Sequence, residues 1–232
     1  MHYATRMNRT QAALSKSDSD EFQKPLLRGH FHQASFFIAL GAGAMLISKS
    51  QGLRAHIAAL IYTMTLITLF GVSALYHRPQ WNTKRRALMR RLDHSAIFLL
   101  IAGTVTPICL LALPEGSGEN LLLVIWIATF VGILQSVFWV RAPKWLTAVL
   151  YVLVGWMSIP YFSEIKSALG AKGAFLILAG GIVYTVGALV YAFKKPNPSP
   201  RYFGYHEIFH LLVMIAALLH FLAISQLLNP AA

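Results

Sequence analysis

HEIFHLLVMIAALLHFLAISQLL, residues 206–228, decides how this chain is read. At 1.5 Å per residue, an apolar run of about 23 residues crosses ~30 Å of hydrocarbon. Yet this run opens with two imidazoles one helical turn apart. Residues i and i+4 share a helix face, so the rings of His206 and His210 can reach one point, and a divalent metal is the commonest thing to put there. Ionisable side chains at membrane depth are costly and therefore mark function. A membrane span that is also a ligand pair points to a helical fold with its site inside the bundle.

Similar runs recur along the chain. Of 232 residues, 56% are hydrophobic and 12% charged, and the mean hydropathy of +0.58 lies beyond that of soluble globular domains. Apolar runs of about 18 to 23 residues occupy 32–48, 55–77, 92–113, 121–140, 145–162, 173–193 and 206–228. The predicted fold is all-α: a polytopic membrane protein, a seven-transmembrane-helix bundle over residues 28–232. Residues 1–27 are polar, with Ser15, Ser17, Asp18, Ser19, Asp20 and Glu21 close together and no apolar stretch of a cleaved signal peptide. They read as a disordered cytoplasmic tail. One cysteine, Cys109, excludes an intrachain disulfide framework and reads as a small buried hydrophobe. Gly180, Gly181 and Gly187 read as close-packing positions within a span.

A net charge of +12 would suit nucleic acid, but the basic residues sit in short loops between apolar runs. They report topology instead, because lysine and arginine collect on the cytoplasmic side. Arg6, Arg9, Lys16, Lys24 and Arg28 lie in the tail; Arg78, Lys84, Arg85, Arg86, Arg90 and Arg91 in the second loop; Arg141 and Lys144 in the fourth; Lys194, Lys195 and Arg201 in the sixth. Only Lys49, Arg54, Lys166 and Lys172 fall on the other side. This places the N-terminus in the cytoplasm and the C-terminus outside.

Under that topology the polar residues gather at the inner helix ends. The second run ends inside with Ser73 and His77, another i, i+4 pair; the third begins inside at Asp93 and His94; the seventh begins inside at His206 and His210. His77, Asp93, His206 and His210 thus share one depth. Three neutral imidazoles with an open fourth position form a recurrent catalytic zinc shell, whose metal acidifies a bound water. Asp93 would act as general base or orient that water, and Ser73 would hold a substrate oxygen or the developing oxyanion. The other histidines read more simply. His2, His30, His32 and His56 are expected to hydrogen-bond at the membrane interface, and His94 to be a structural partner. His220 lies about 15 Å beyond His210, too far to share a metal. Trp139, Trp145, Tyr151 and Tyr161 read as interface anchors.

Taken together, SALYH at 73–77, LDHSAIF at 92–98 with IAGTVTP at 101–107, Gly155-Trp156, GGIVYTVG at 180–187 and GYHEIFHLLVMIAALLHF at 204–221 resemble the hemolysin III family. That family is the bacterial branch of the progestin and adipoQ receptor superfamily, which includes the adiponectin receptors. The resemblance implies seven membrane helices with a zinc ion near the cytoplasmic face of the cell membrane. It places the metal ligands on His77, His206 and His210, the water-bonding aspartate on Asp93 and the family's serine on Ser73. It further implies a lipid partner, since eukaryotic relatives look like lipid amidases and the superfamily includes alkaline ceramidases. The bacterial branch is linked instead to hemolysis and membrane-lipid homeostasis.

Several readings of these residues stay open. In the first, the protein is a zinc-dependent hydrolase of a membrane lipid amide or ester. HEIFH can also be taken as the HExxH of an intramembrane metalloprotease with Glu207 as base, although no later helix follows to supply a third ligand. A structural zinc in a receptor, sensor or hemolysin-like protein would use the same residues, with Asp93 closing the fourth position. Haem ligation by His77 and one histidine of the last run leaves that histidine's i+4 partner idle. A retinal protein needs a lysine in the last run, which has none.

Overall fold

A computed structural model describes residues 24–228. The helical segments are α1 (His30–Lys49), α2 (Leu53–His77), α3 (Thr83–Leu111), α4 (Ser117–Phe138), α5 (Lys144–Gly155), α6 (Phe162–Phe193) and α7 (Tyr205–Leu228), with a 3₁₀ turn, Trp156–Tyr161, between α5 and α6. There is no strand among the described residues, where a lone bridge joins Ser199 to Phe203. Of the tail expected to be disordered, residues 1–23 and His2 with them lie outside the described residues. Lys24 to Leu27 lie against the α6–α7 loop, with Leu26 N–H donating to Arg201 O at 3.0 Å and Leu27 N–H to Tyr202 O at 3.3 Å.

Among the described residues, six helical stretches are long and apolar enough to cross a membrane, where the sequence suggests seven. The difference lies in Lys144–Phe193, a stretch of 50 residues that joins the fifth and sixth apolar runs. The polar residues expected to form a loop, Ser163, Glu164, Lys166 and Lys172, are good enough helix formers to continue the helix, so hydropathy dips there while helicity does not. One residue departs from it: Gly170, at φ 68° and ψ 177°, a conformation that residues with a Cβ avoid. An unbroken helix of this length would run about 75 Å at 1.5 Å per residue. Instead the two limbs lie side by side, and Trp156 Nε1 donates to Thr185 Oγ1 at 2.9 Å. The third run differs in its start, since α3 begins at Thr83, where Asn82 Oδ1 accepts from Arg85 N–H at 2.9 Å as an N-cap.

α3 is the central element, packing on α2, α4, α5 and α7, while α1 closes the bundle against both α2 and α7. The buried face of α1 is His32, Ser35, Ala39, Gly43 and Leu46, a stripe of mostly small side chains that lets the helices approach closely. Cys109 is buried in the cluster formed by Phe98, Ala102, Val105 and Ile125. Large apolar side chains face outward on most helices, among them Phe37, Ile38, Leu123, Phe130, Phe138 and Phe175. A soluble surface does not carry so much exposed hydrocarbon; a bilayer accepts it. Trp139 and Trp145 are exposed in keeping with an anchoring role. Tyr151 is not: it packs on Phe98 with ring centroids 4.6 Å apart and donates its hydroxyl to His94 O at 3.1 Å.

Candidate metal centre

At the end of the bundle where α2 finishes and α7 begins, His77, His206 and His210 converge. One ring nitrogen from each lies within 4.8 Å of the others. Nε2 of His206 and Nε2 of His77 are 3.1 Å apart, and ring centroids are separated by 4.7 Å (His77–His206), 4.9 Å (His77–His210) and 4.5 Å (His206–His210). Tetrahedral bonds of about 2.0–2.1 Å put ligand nitrogens roughly 3.3 Å apart, so this cluster has the donor set and the size to hold a metal ion. His77 and His210 are buried and His206 half-buried. Asp93 Oδ2 lies 3.8 Å from His77 Nε2. Ser73 lies one turn before His77 on α2 and is almost fully buried. The structure thus brings all five singled-out residues together, from α2, α3 and α7.

Local chemistry fixes the helix ends that carry them. Gly204 N–H donates to Glu207 Oε2 at 2.8 Å, a capping contact that anchors the first turn of α7. The other carboxylate oxygen of Glu207 pairs with Arg28 Nε. Both oxygens are therefore engaged in structure, and Glu207 is 1% exposed. Just before α1, Gly29 adopts φ 81°, and a Cβ there would fall 2.8 Å from His77 Cβ. This glycine lets the chain cross directly over a candidate ligand.

His32 is the residue the sequence misplaces. It is no interface histidine: it is 2% exposed and stacks on His210 with ring centroids 3.8 Å apart and planes 3° apart, with Phe70 edge-on at 5.2 Å. Neither of its ring nitrogens has a hydrogen-bond partner among the described residues. The signal was present in the small residues at 35, 39 and 43, which place His32 on the packed face of α1. His30 and His56 lie nearer solvent, beside Arg78 and the Gly52 carbonyl respectively. His94 contributes its backbone carbonyl to Tyr151.

Cations gather around this end. Lys144 Nζ donates to Tyr205 Oη at 3.0 Å and sits 4.6 Å from the ring centre of Tyr191, which in turn packs against His206. Lys24 Nζ donates to Pro79 O at 3.1 Å, and its pKa is lowered by partial burial and by Arg86 and Arg28 nearby. Deeper in the bundle, between α3, α5, α6 and α7, lies an apolar cavity of about 120 Å³. It is lined by residues such as Ile97, Val105, Trp156, Tyr184, Phe209 and His220, and Phe209 adjoins His210.

The family model for haemolysin-III related proteins matches residues 21–221. Hemolysin-3 of Bacillus cereus is 34% identical over 185 residues, which cover 80% of this chain and 81% of the relative. The Hemolysin-3 homolog of Bacillus subtilis (strain 168) is 32% identical over 154 residues, 66% and 69% of the two chains. The human monocyte to macrophage differentiation factor is 25% identical over 197 residues, 82% of this chain and 78% of the relative.

Proposed function

The chain belongs to the haemolysin-III related family, and we propose that it is a zinc-dependent hydrolase cleaving an amide or ester of a membrane lipid at the cytoplasmic face of the cell membrane. The observation that carries this reading is the meeting of three imidazoles with the Asp93 carboxylate 3.8 Å from one of them, in a buried setting beside an apolar cavity. His77, His206 and His210 would hold the ion. Bound there, zinc supplies Lewis acidity and an acidified water. Asp93 Oδ2 takes the proton of the attacking water and returns it to the departing nitrogen or oxygen. The Ser73 hydroxyl holds the substrate carbonyl oxygen as charge develops on it. Water and lipid are thereby converted to a fatty acid and an amine or alcohol. The cavity beyond Phe209 accommodates part of the acyl chain.

In this reading the stretch Lys144–Phe193 crosses the bilayer twice, giving seven crossings with the N-terminus in the cytoplasm. Two observations support it: the reversal at Gly170 and the pairing of Trp156 with Thr185. Lys24, Arg28, Arg78 and Lys144 at the histidine end support the orientation, since cations collect on the cytoplasmic side. Glu207 is no general base here, because Arg28 and Gly204 occupy its oxygens. This disfavours the metalloprotease reading.

A non-catalytic reading, in which zinc clamps the helices of a receptor, sensor or hemolysin-like protein, draws on the same nearness of Asp93 to His77. One variant separates the two. Asp93→Ala is expected to keep about one zinc per chain while losing ~10²- to 10⁴-fold in fatty-acid release from ceramide or a similar lipid, as for loss of a general base. Unchanged cellular and in vitro lipid profiles in that variant would favour the clamp.

A further inference from the structure

Lys144 opens α5 at the end of the bundle that holds the histidine cluster. Its neighbour Trp145 is exposed, as an interface anchor is, whereas the lysine is half-buried and its side chain turns inward. Nζ donates to Tyr205 Oη at 3.0 Å, and it lies 5.1 Å from the centre of that ring and 4.6 Å from the centre of the Tyr191 ring. Tyr191 is buried and packs against two parts of the proposed site. Its ring centroid is 5.9 Å from that of His206 and 5.1 Å from that of Phe209. Phe209 in turn lines the apolar cavity. One aromatic ring thus separates an ammonium group from both a candidate metal ligand and the wall of the cavity.

No carboxylate pairs with Lys144 among the described residues, where the close carboxylate contacts go to Arg28, Arg54 and His77. An ammonium group carries three hydrogens, and only one of them is given to Tyr205. The Tyr205 hydroxyl accepts that hydrogen bond and keeps its own hydrogen to donate. Both residues are half-exposed, so their donors are open to a ligand. Two N–H groups, one O–H group and a full positive charge therefore meet around a single 3.0 Å contact. Such a donor set recognises an oxyanion. At the depth of an interface tryptophan, the oxyanions a membrane offers are the phosphates of its lipids.

We infer that Lys144 and Tyr205 bind the phosphate of a phospholipid headgroup, so that the lipid brought to the histidine cluster is an anionic phospholipid rather than a neutral lipid. This rests on the reading above that a lipid chain occupies the cavity, and it names the class of that lipid. The phosphate accepts from Nζ and from Oη at the membrane surface, while an acyl chain passes Tyr191 and Phe209 into the cavity. A zwitterionic headgroup offers the same phosphate but carries its own ammonium toward Lys144, a like charge that weakens the contact.

The test is equilibrium binding of radiolabelled dihexanoyl phosphatidylglycerol and dihexanoyl phosphatidylcholine to the full chain in an uncharged detergent, with inorganic phosphate as competitor. The anionic lipid should bind about tenfold tighter, the effect of one charge-assisted hydrogen bond. Lys144→Met should bring the ratio close to unity and Lys144→Arg should keep it. Tyr205→Phe, which preserves the ring packing, should lower it by about threefold. Equal affinities for the wild-type chain would overturn the inference, as would a preference that survives both Lys144→Met and Tyr205→Phe. A ratio that falls as far in Lys84→Met, which removes an exposed lysine elsewhere, would overturn it in favour of attraction to the basic surface as a whole. Inorganic phosphate at the lipid's concentration should leave lipid binding unchanged; competition as strong as that of unlabelled lipid would make this a site for free phosphate. Stripping the metal with a chelator should leave the ratio intact, and its loss would assign the phosphate to the ion instead of Lys144. Absence of fatty-acid release from phosphatidylglycerol together with an intact ratio would refute the hydrolase reading alone. Release from ceramide by a chain that binds both phospholipids equally would refute the phosphate site alone.

Discussion

Removing Arg28 should destabilise this protein more than removing its partner, because the two ends of the Arg28–Glu207 pair are buried to different degrees. The side chain of Glu207 is 1% exposed and that of Arg28 is 18% exposed. In Arg28→Ala the carboxylate stays buried, with Gly204 N–H as its remaining donor. Breaking a buried pair from one side costs about 3–5 kcal/mol, since an uncompensated charge is left inside. In Glu207→Gln the amide oxygen can still accept from Gly204, and the guanidinium turns toward water, so the loss is about 1–2 kcal/mol. The double variant Arg28→Met with Glu207→Gln leaves no buried charge and should recover most of the deficit. At roughly 2–4 °C per kcal/mol for a chain of this size, Arg28→Ala lowers Tm by about 10 °C in thermal scans of the detergent-solubilised protein. A shift within about 2 °C of wild type, or a double variant as unstable as Arg28→Ala, would refute a pair placed for structure. Glu207→Gln should also retain zinc and lipid hydrolysis below its Tm; loss of hydrolysis with zinc retained would make Glu207 the working base.

Three further expectations follow from the site and its surroundings. His210→Ala should remove the metal, measured as zinc per chain by elemental analysis, and a metal-free wild type would refute the ligand assignment. His32→Ala deletes the ring stacked on His210 and should weaken zinc retention by about tenfold in a chelator competition, as expected when a ligand loses its supporting contact. An unchanged affinity would mean that His210 is oriented by its own helix. Gly180→Val forces side-chain atoms into the space of the His220 ring and should lower Tm by several degrees, whereas a neutral substitution would show that the α6–α7 contact can spread.

The histidine cluster was legible because two i, i+4 pairs, Ser73 with His77 and His206 with His210, sit at the ends of apolar runs, and helical periodicity alone puts each pair on one face. Asp93 was legible as an acid at the start of another run. What escaped was set by tertiary contact. His32 carries no i+4 partner, so only the packing of α1 against α7 reveals its stack on His210. The pairing of Arg28 with Glu207 spans 179 positions and has no local signature. The 3₁₀ turn and the reversal at Gly170 were hidden because hydropathy marks the polar residues around a bend and says nothing about the backbone between them.

α7 carries two polar stripes, and their angular relation constrains how a lipid could use them. At about 100° per residue, His206 and His210 lie ~40° apart, while Phe209, Val213 and His220 form a second stripe ~20–60° to the other side of His206. The first stripe faces His77 from α2 and His32 from α1, and the second faces the cavity shared with α3, α5 and α6. The stripes adjoin along one edge, since Val213 lies only ~20° around the helix from His206. A chain laid along the cavity would meet the histidine cluster beside Phe209 and His210, with His220 about 15 Å away along the axis.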